Sequence, residues 1–395
     1  MSRRTLRLAV TALCALALVE GCTTPARDPG PSYDGEVVVG VNLELTGPAA
    51  AIGTVNMRAL EITAARINET GILVDGKHKL LRLAVRDNGS DPTRAADEAR
   101  NLIEVDHAAV IIGAGTTPVS LGVIGATEAL HVATVSLGAG DTLVNPVTER
   151  RYTFKVAPNS ADVARTLVDT ARRMGSRRIG LLTASNAYGD LVARALTPTV
   201  TERAADGMRL VRAERFAEGG GDVADRLAAL LAASPDTLVI GALMPGAARA
   251  IAAVRASGFA GRVFLDPTAG ADDLLAGPTR TDAEGMYMIH PAVLDPYAVA
   301  NTQVGFAQRE FRKKYVEKHN DFSGLAPNAY DALYLVAGAI GTAGTDHGAI
   351  RDVLEHTTHY GIAGNYSFTS SDHGGMRPDT LALFVVRDGG WARAT

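Results

Sequence analysis

The sequence predicts an α/β protein of two Rossmann-like lobes, each a parallel sheet covered on both faces by helices. From Glu36 onward, short β-branched or apolar runs alternate with segments of helical period, the mark of βαβ units. The alternation comes in two successive series of about 120 residues each, which favours two similar lobes over one long sheet. Composition agrees: 395 residues with 47% hydrophobic and 21% charged side chains suit a globular chain long enough for two domains.

In the first series, a strand is predicted over 36–45 and a helix over 53–68, whose apolar face is Met57, Leu60, Ile62, Ala64, Ala65 and Ile67. Strands over 80–85, 109–113 and 132–136 then alternate with helices over 93–105 and 119–130. The second series has strands over 151–156, 178–183, 208–216, 237–243 and 262–266, separated by helices over 161–174, 190–204, 223–233 and 247–257. A strand over 285–290 precedes two long helices, 301–319 and 327–343. Short strands near 365–369 and 380–387 close the chain, the last entering the turn Asp388-Gly389-Gly390.

The N-terminus reads as an address. Arg3, Arg4 and Arg7 precede an apolar run over 8–19, too short to span a bilayer and suited to a signal peptide over 1–21. The run ends in Leu18-Val19-Glu20-Gly21-Cys22, which resembles a bacterial lipobox and makes Cys22 the expected site of lipid attachment, anchoring the exported protein to the membrane. Ser2-Arg3-Arg4 also resembles the start of a twin-arginine signal. Cys14 is the other cysteine, so no disulfide is expected in the mature domain. Residues 23–35, rich in Pro and Gly, read as a flexible tether.

A formal net charge of −4 offers no field for nucleic acid, and no later apolar stretch is long enough to cross a membrane. In open parallel sheets, ligands bind beyond the carboxyl ends of strands. The loops expected there are small, hydroxylated and Gly-rich: 46–53 after the first strand, 114–118 after the third and 137–141 after the fourth.

From Glu36 to the C-terminus the chain resembles the periplasmic leucine/isoleucine/valine-binding protein family, the type I solute-binding proteins of ATP-driven importers. The resemblance rests on ordered motifs: Thr46-Gly47-Pro48 with Gly53, Asp87 with Asp91-Pro92, Gly113 with Thr116-Thr117, Asn186-Ala187-Tyr188-Gly189, and Asn328-Ala329-Tyr330-Asp331-Ala332. It implies a clamshell with three crossings between lobes, near Val156, Ile289 and Tyr360. Lobe one would then hold 36–155 and 290–360, and lobe two 156–289 and 361–395. It also implies a small-molecule ligand in the cleft, and permease and ATPase subunits as partners. An extracytoplasmic sensor of the same fold is the alternative.

The ligand-binding positions the resemblance implies are Thr46, Ile52, Gly115, Thr116, Thr117, Gly138, Ala139, Gly140, Tyr188, Leu243 and Thr268. Thr117 matches the family's carboxylate-binding serine, and Tyr188 an aromatic wall. Gly140 stands where a second hydroxyl is usual, Thr268 where the ammonium-binding carboxylate is usual, and Leu243 and Ile52 where rings are. An amino acid would therefore need Asp266 or Asp141 as a substitute, and the expected solute is an amino acid or a related carboxylate or amide.

Other signals are weak. Glu355, His356 and His359 have metal-like spacing without further ligands, so no metal is expected. Arg309, Arg312, Lys313 and Lys314 read as a solvated helix face. The segment 218–222 lacks a P-loop Lys, and Gly113-Ala114-Gly115 lacks the third Gly of a dinucleotide fingerprint, so no cofactor is expected. With no nucleophile elbow, H-E-x-x-H or mature-domain nucleophilic Cys, the chain is not expected to be an enzyme.

Overall fold

A computed structural model describes residues 33–217, 221–271, 274–275, 277–294 and 301–394. The signal-peptide and Cys22 readings, most of the tether and the residues 218–220 of the Gly-rich loop lie outside the described residues. Residues before the expected start are already hydrogen-bonded to the body, with the Tyr33 hydroxyl on the Asn68 carbonyl and the Asp34 amide on that of His78.

The first series gives β1 (Glu36–Leu43), α1 (Ala50–Ile67), β2 (Ile72–Val74), β3 (Lys77–Asp87), α2 (Pro92–Glu104), β4 (Val110–Gly113), α3 (Thr117–Ala129), β5 (Thr134–Ser136) and β6 (Thr153–Lys155). The second gives α4 (Ser160–Arg173), β7 (Arg178–Ala184), α5 (Ala187–Glu202), β8 (Arg209–Phe216), α6 (Val223–Leu231), β9 (Thr237–Gly241), α7 (Gly246–Ala256), β10 (Arg262–Leu265), α8 (Thr279–Asp282) and β11 (Tyr287–Pro291). Then follow α9 (Gln303–His319), α10 (Ala326–Ala343), α11 (His347–Glu355), β12 (Thr358–Tyr360), β13 (Asn365–Ser367), β14 (Leu381–Arg387) and β15 (Gly390–Arg393).

Two sheets result. One has the order β2-β3-β1-β4-β5-β6 and the other β15-β14-β11-β10-β9-β7-β8. Their centres are parallel, and antiparallel strands β2 and the β14–β15 hairpin lie at edges. Central strands such as β9, TLVIG, are buried along their whole length, as sheets covered on both faces require. Val37, Val39, Val41 and Leu43 of β1 pack with α1 and α10 in the first core. The hairpin joining β2 to β3 turns at Asp75-Gly76, both at positive φ, a turn chemistry that sets its register.

The chain leaves the first sheet after β6 and joins the second core from Val163 of α4. It returns to the first core with α9 and α10. The third crossing differs from the expected position near Tyr360. Tyr366, Phe368 and Met376 all bury in the first core, and the chain rejoins the second sheet only at Leu381. The physical reason is Asp331 of α10. Its carboxylate accepts the Ile362 and Ala363 amides (2.7 and 2.8 Å) and the Tyr366 hydroxyl (3.1 Å), fastening the β12–β13 hairpin to the first lobe.

Candidate functional site

A cavity of about 380 Å³ lies between the lobes, lined by residues that follow β1, β3, β4, β5 and β6, by residues that follow β7, β9 and β10, by the end of β11 and by the start of α10. That volume suits a small organic ligand. Helices are brought to it by close backbone approach. In the first lobe, a Cβ on Gly53 of α1 would collide with the Glu44 carbonyl; in the second, one on Gly189 of α5 would collide with that of Ala184. Asn186 caps α5 by accepting the Gly189 amide at 2.9 Å, which places Tyr188 in its first turn facing the cavity.

Of the residues expected to bind ligand, Ile52, Gly115, Thr116, Thr117, Ala139, Tyr188, Leu243 and Thr268 line this cavity. Thr46, Gly138 and Gly140 do not. Thr46 turns its amide (3.1 Å) and hydroxyl (2.7 Å) to Asp87. Gly138 lies behind the wall, where a Cβ would come within 2.8 Å of Ser120 Oγ and 2.9 Å of Leu143 Cδ1. Gly140 gives its amide to Thr117 Oγ1 at 3.1 Å, which leaves the Thr117 hydroxyl hydrogen for another acceptor.

The first-lobe wall holds a feature that sequence reading missed. Glu44, fully buried, accepts the Gly115 amide (3.0 Å) on one oxygen, and the Thr116 amide (2.9 Å) and hydroxyl (2.8 Å) on the other. The Gly-rich loop expected to offer amides to a ligand thus spends two of them on a carboxylate of the same chain. The available signal was an acid closing a buried apolar strand, since such a carboxylate must find donors.

In the second lobe, Asp266 caps the short turn after β10. Its Oδ1 accepts the Thr268 amide at 2.9 Å together with the Thr268 and Tyr188 hydroxyls, and its Oδ2 accepts the Ala242 amide at 3.1 Å. All four donors are neutral. Burial raises the Asp266 carboxyl above its ordinary value against these hydrogen bonds, and burial together with the Asp266 charge pushes the Tyr188 hydroxyl well up. Asp266 lines the cavity. Asp141, the other substitute considered, does not: it accepts the Ser160 and Ala161 amides at the start of α4 (2.8 and 3.0 Å) and pairs with buried Lys155 at 3.3 Å. Lys155 also donates to the Ala139 and Pro158 carbonyls, both at 3.1 Å, and burial lowers its pKa.

Two further polar residues complete the wall. His290 of β11 donates Nδ1–H to the Pro291 carbonyl at 3.1 Å, and burial lowers its pKa to about 4, so the ring is neutral. Asn328 of α10 is 7% exposed and its Oδ1 is buried without a hydrogen-bond partner. The remainder of the lining is mainly apolar, including Leu137, Val163, Leu167, Leu191 and Val192. Glu355 is engaged by Arg351 and by His373 (3.3 Å), and among the described residues no cluster of three or more acids, His or Cys is placed to hold a metal.

A sequence profile described as "Periplasmic binding protein" matches residues 36–390. Leu/Ile/Val-binding protein homolog 7 of Brucella suis biovar 1 (strain 1330) is 27% identical over 171 residues, which is 43% of this chain and 39% of that protein. The chain therefore spans about two-fifths of the length of the curated relatives it matches. An extracellular ligand-binding receptor from Rhodopseudomonas palustris HaA2 superposes with a TM-score of 0.80 at 27% identity, covering 91% of this chain and 100% of the receptor. LivJ from Streptococcus pneumoniae, solved with isoleucine, has a TM-score of 0.76 at 20% identity over 90% of this chain and 97% of its own, a likeness of fold alone.

Proposed function

We propose that this chain, which belongs to the periplasmic binding protein family in its leucine/isoleucine/valine-binding form, is the lipid-anchored solute-binding subunit of an ATP-driven importer. Its family and fold are those of ligand-binding proteins, not enzymes, and they imply an extracytoplasmic protein. Among the described residues no helix is long and apolar enough to cross a membrane. In this reading Cys22 carries the lipid, residues 23–32 tether the body, and the lobes close on a small polar organic solute by hinge motion.

The observation that supports this best is the cavity itself. Both lobes line it, apolar side chains form most of it, and a carboxylate held by neutral donors stands on the second-lobe wall. Of the amino acid, carboxylate and amide expected from the sequence, Asp266 favours a solute with N–H donors, because a carboxylate held only by neutral donors gains most from a cationic or N–H partner.

The test is calorimetric titration of the purified protein with the hits of a thermal-shift screen, since a ligand that prefers the folded state raises the melting temperature. Thr117→Val in the first lobe and Tyr188→Ala in the second should each weaken binding by roughly tenfold to a hundredfold, with circular dichroism unchanged. Unchanged affinity in both places the site elsewhere. Loss of membrane association in Cys22→Ser, and loss of solute uptake on deleting the protein, check the anchor and the importer role; intact uptake with a lost transcriptional response favours the sensor.

A further inference from the structure

Most of the hydrogen-bond donors traced on the cavity wall are spent within the protein, the Thr117 hydroxyl excepted, whereas two of its acceptors are not. The Gly115 and Thr116 amides and the Thr116 hydroxyl go to Glu44. Ser90 Oγ donates to the Thr46 carbonyl and Ser160 Oγ to that of Ala139. The Tyr188 and Thr268 hydroxyls go to Asp266. Against this, Asp266 Oδ2 has a single donor, the Ala242 amide, and Asn328 Oδ1 is buried with none.

Among the described residues no lysine or arginine lines the cavity, and His290 is held neutral by burial. Lys155 lies behind the first-lobe wall on the Ala139 and Pro158 carbonyls, with Asp141 as its ion-pair partner at 3.3 Å. Asp266 stands on the wall, and Glu44 lies directly behind it: a Cβ on Gly115, itself a lining residue, would be 3.5 Å from Glu44 Oε2 and 2.5 Å from Ile52 Cγ2. A ligand carboxylate at the first-lobe wall could take the Thr117 hydroxyl hydrogen, but it would meet Gly115 and Thr116 amides already turned inward and a like group behind them, and such juxtapositions are costly. An ammonium brings donors to the unspent acceptors and charge to Asp266.

We infer that the solute is an organic cation, an ammonium on an apolar body with no carboxylate of its own. The inference rests on the reading of the interlobe cavity as the solute site. Asp266 takes the ammonium, Asn328 Oδ1 offers a second acceptor on the wall, and Ile52, Leu137, Val163, Leu191 and Leu243 enclose the body.

Titration of the wild-type protein with two matched sets decides it: 3-methylbutylamine, leucine, 4-methylpentanoate and 4-methylpentanamide on one body, and 2-phenylethylamine, phenylalanine, 3-phenylpropanoate and 3-phenylpropanamide on the other. In at least one set the amine should bind roughly tenfold or more tighter than the amino acid, and neither carboxylate should bind. In Glu44→Gln the amino acid should gain on the amine. If an amino acid, carboxylate or amide proves the tightest ligand and Tyr188→Ala weakens it, the inference falls while the cavity stands as the solute site. If no amine binds at millimolar concentration, the inference falls; if no cavity variant changes the affinity of any hit, the solute-site reading falls with it.

Discussion

The two lobes each bring a buried carboxylate to the strand ends that face the cavity, and use it differently. In the first lobe, Glu44 is sealed behind Gly115 and Thr116, and both its oxygens are met by donors of that loop. In the second, Asp266 is 5% exposed, lines the cavity, and concentrates three of its four donors on one oxygen. The same group type therefore organises a loop on one side and presents an acceptor on the other. What separates them is geometry: Glu44 reaches sideways under a neighbouring βα loop, whereas the shorter Asp266 caps its own turn.

The largest test of this contrast is Asp266→Asn. Removing one partner of a buried ion pair costs about 3–5 kcal/mol, so an ammonium ligand should lose several hundredfold or more in affinity by calorimetry, with the apo protein still folded. Equal affinity in the variant would show that the second-lobe carboxylate is as inward-looking as Glu44.

His290 sharpens the contrast, because among the described residues no first-lobe side chain on the wall is titratable. Its folded pKa of about 4 lies below the ordinary 6.5. Between these values the unfolded chain takes up a proton that the folded chain refuses, so stability is full above pH 6.5 and is lost as pH falls towards 4. Urea unfolding at pH 4.5 and pH 7 should show a loss, at most about 3 kcal/mol, that His290→Gln removes. An unaltered slope would assign the loss to other groups.

The smallest effect tests what the lobes share. Gly53→Ala and Gly189→Ala each press a Cβ onto a backbone carbonyl and should destabilise by about 1–3 kcal/mol in urea titrations. Similar values would confirm one device used twice; a neutral Gly53→Ala would mean that the β1–α1 approach relaxes where β7–α5 does not.

Many residues that made the chain legible build the site's scaffold, and of the four that follow only Asn186 also lines the cavity. Asp87 holds the Leu45, Thr46 and Gly89 amides, Asp91 caps α2 through the Arg94 amide at 2.7 Å, Asn186 caps α5, and Asp331 fastens the β12–β13 hairpin. Their positions are set by local spacing, so sequence reading locates them. Thr117 falls in a loop that the strand order alone marks, because strand ends in a parallel sheet all point one way, whereas Tyr188 came from the family resemblance. Glu44 and Lys155 were missed for the opposite reason. Each sits inside an apolar strand run, and its partners come from other βα loops: Gly115 and Thr116 for Glu44, and Ala139 and Asp141 for Lys155.

Sequence alone determined the two α/β series, their order and the loops that meet at the cavity, because hydrophobic period, caps and turn residues act over a few positions. Tertiary structure decided where the chain crosses for the third time, which loop amides remain free and which carboxylate faces the cavity. Those outcomes depend on contacts between residues far apart in the chain, such as Asp331 with Tyr366, Glu44 with Gly115 and Tyr188 with Asp266. A buried polar group must be satisfied, but which distant partner satisfies it is fixed only when the strands are laid side by side.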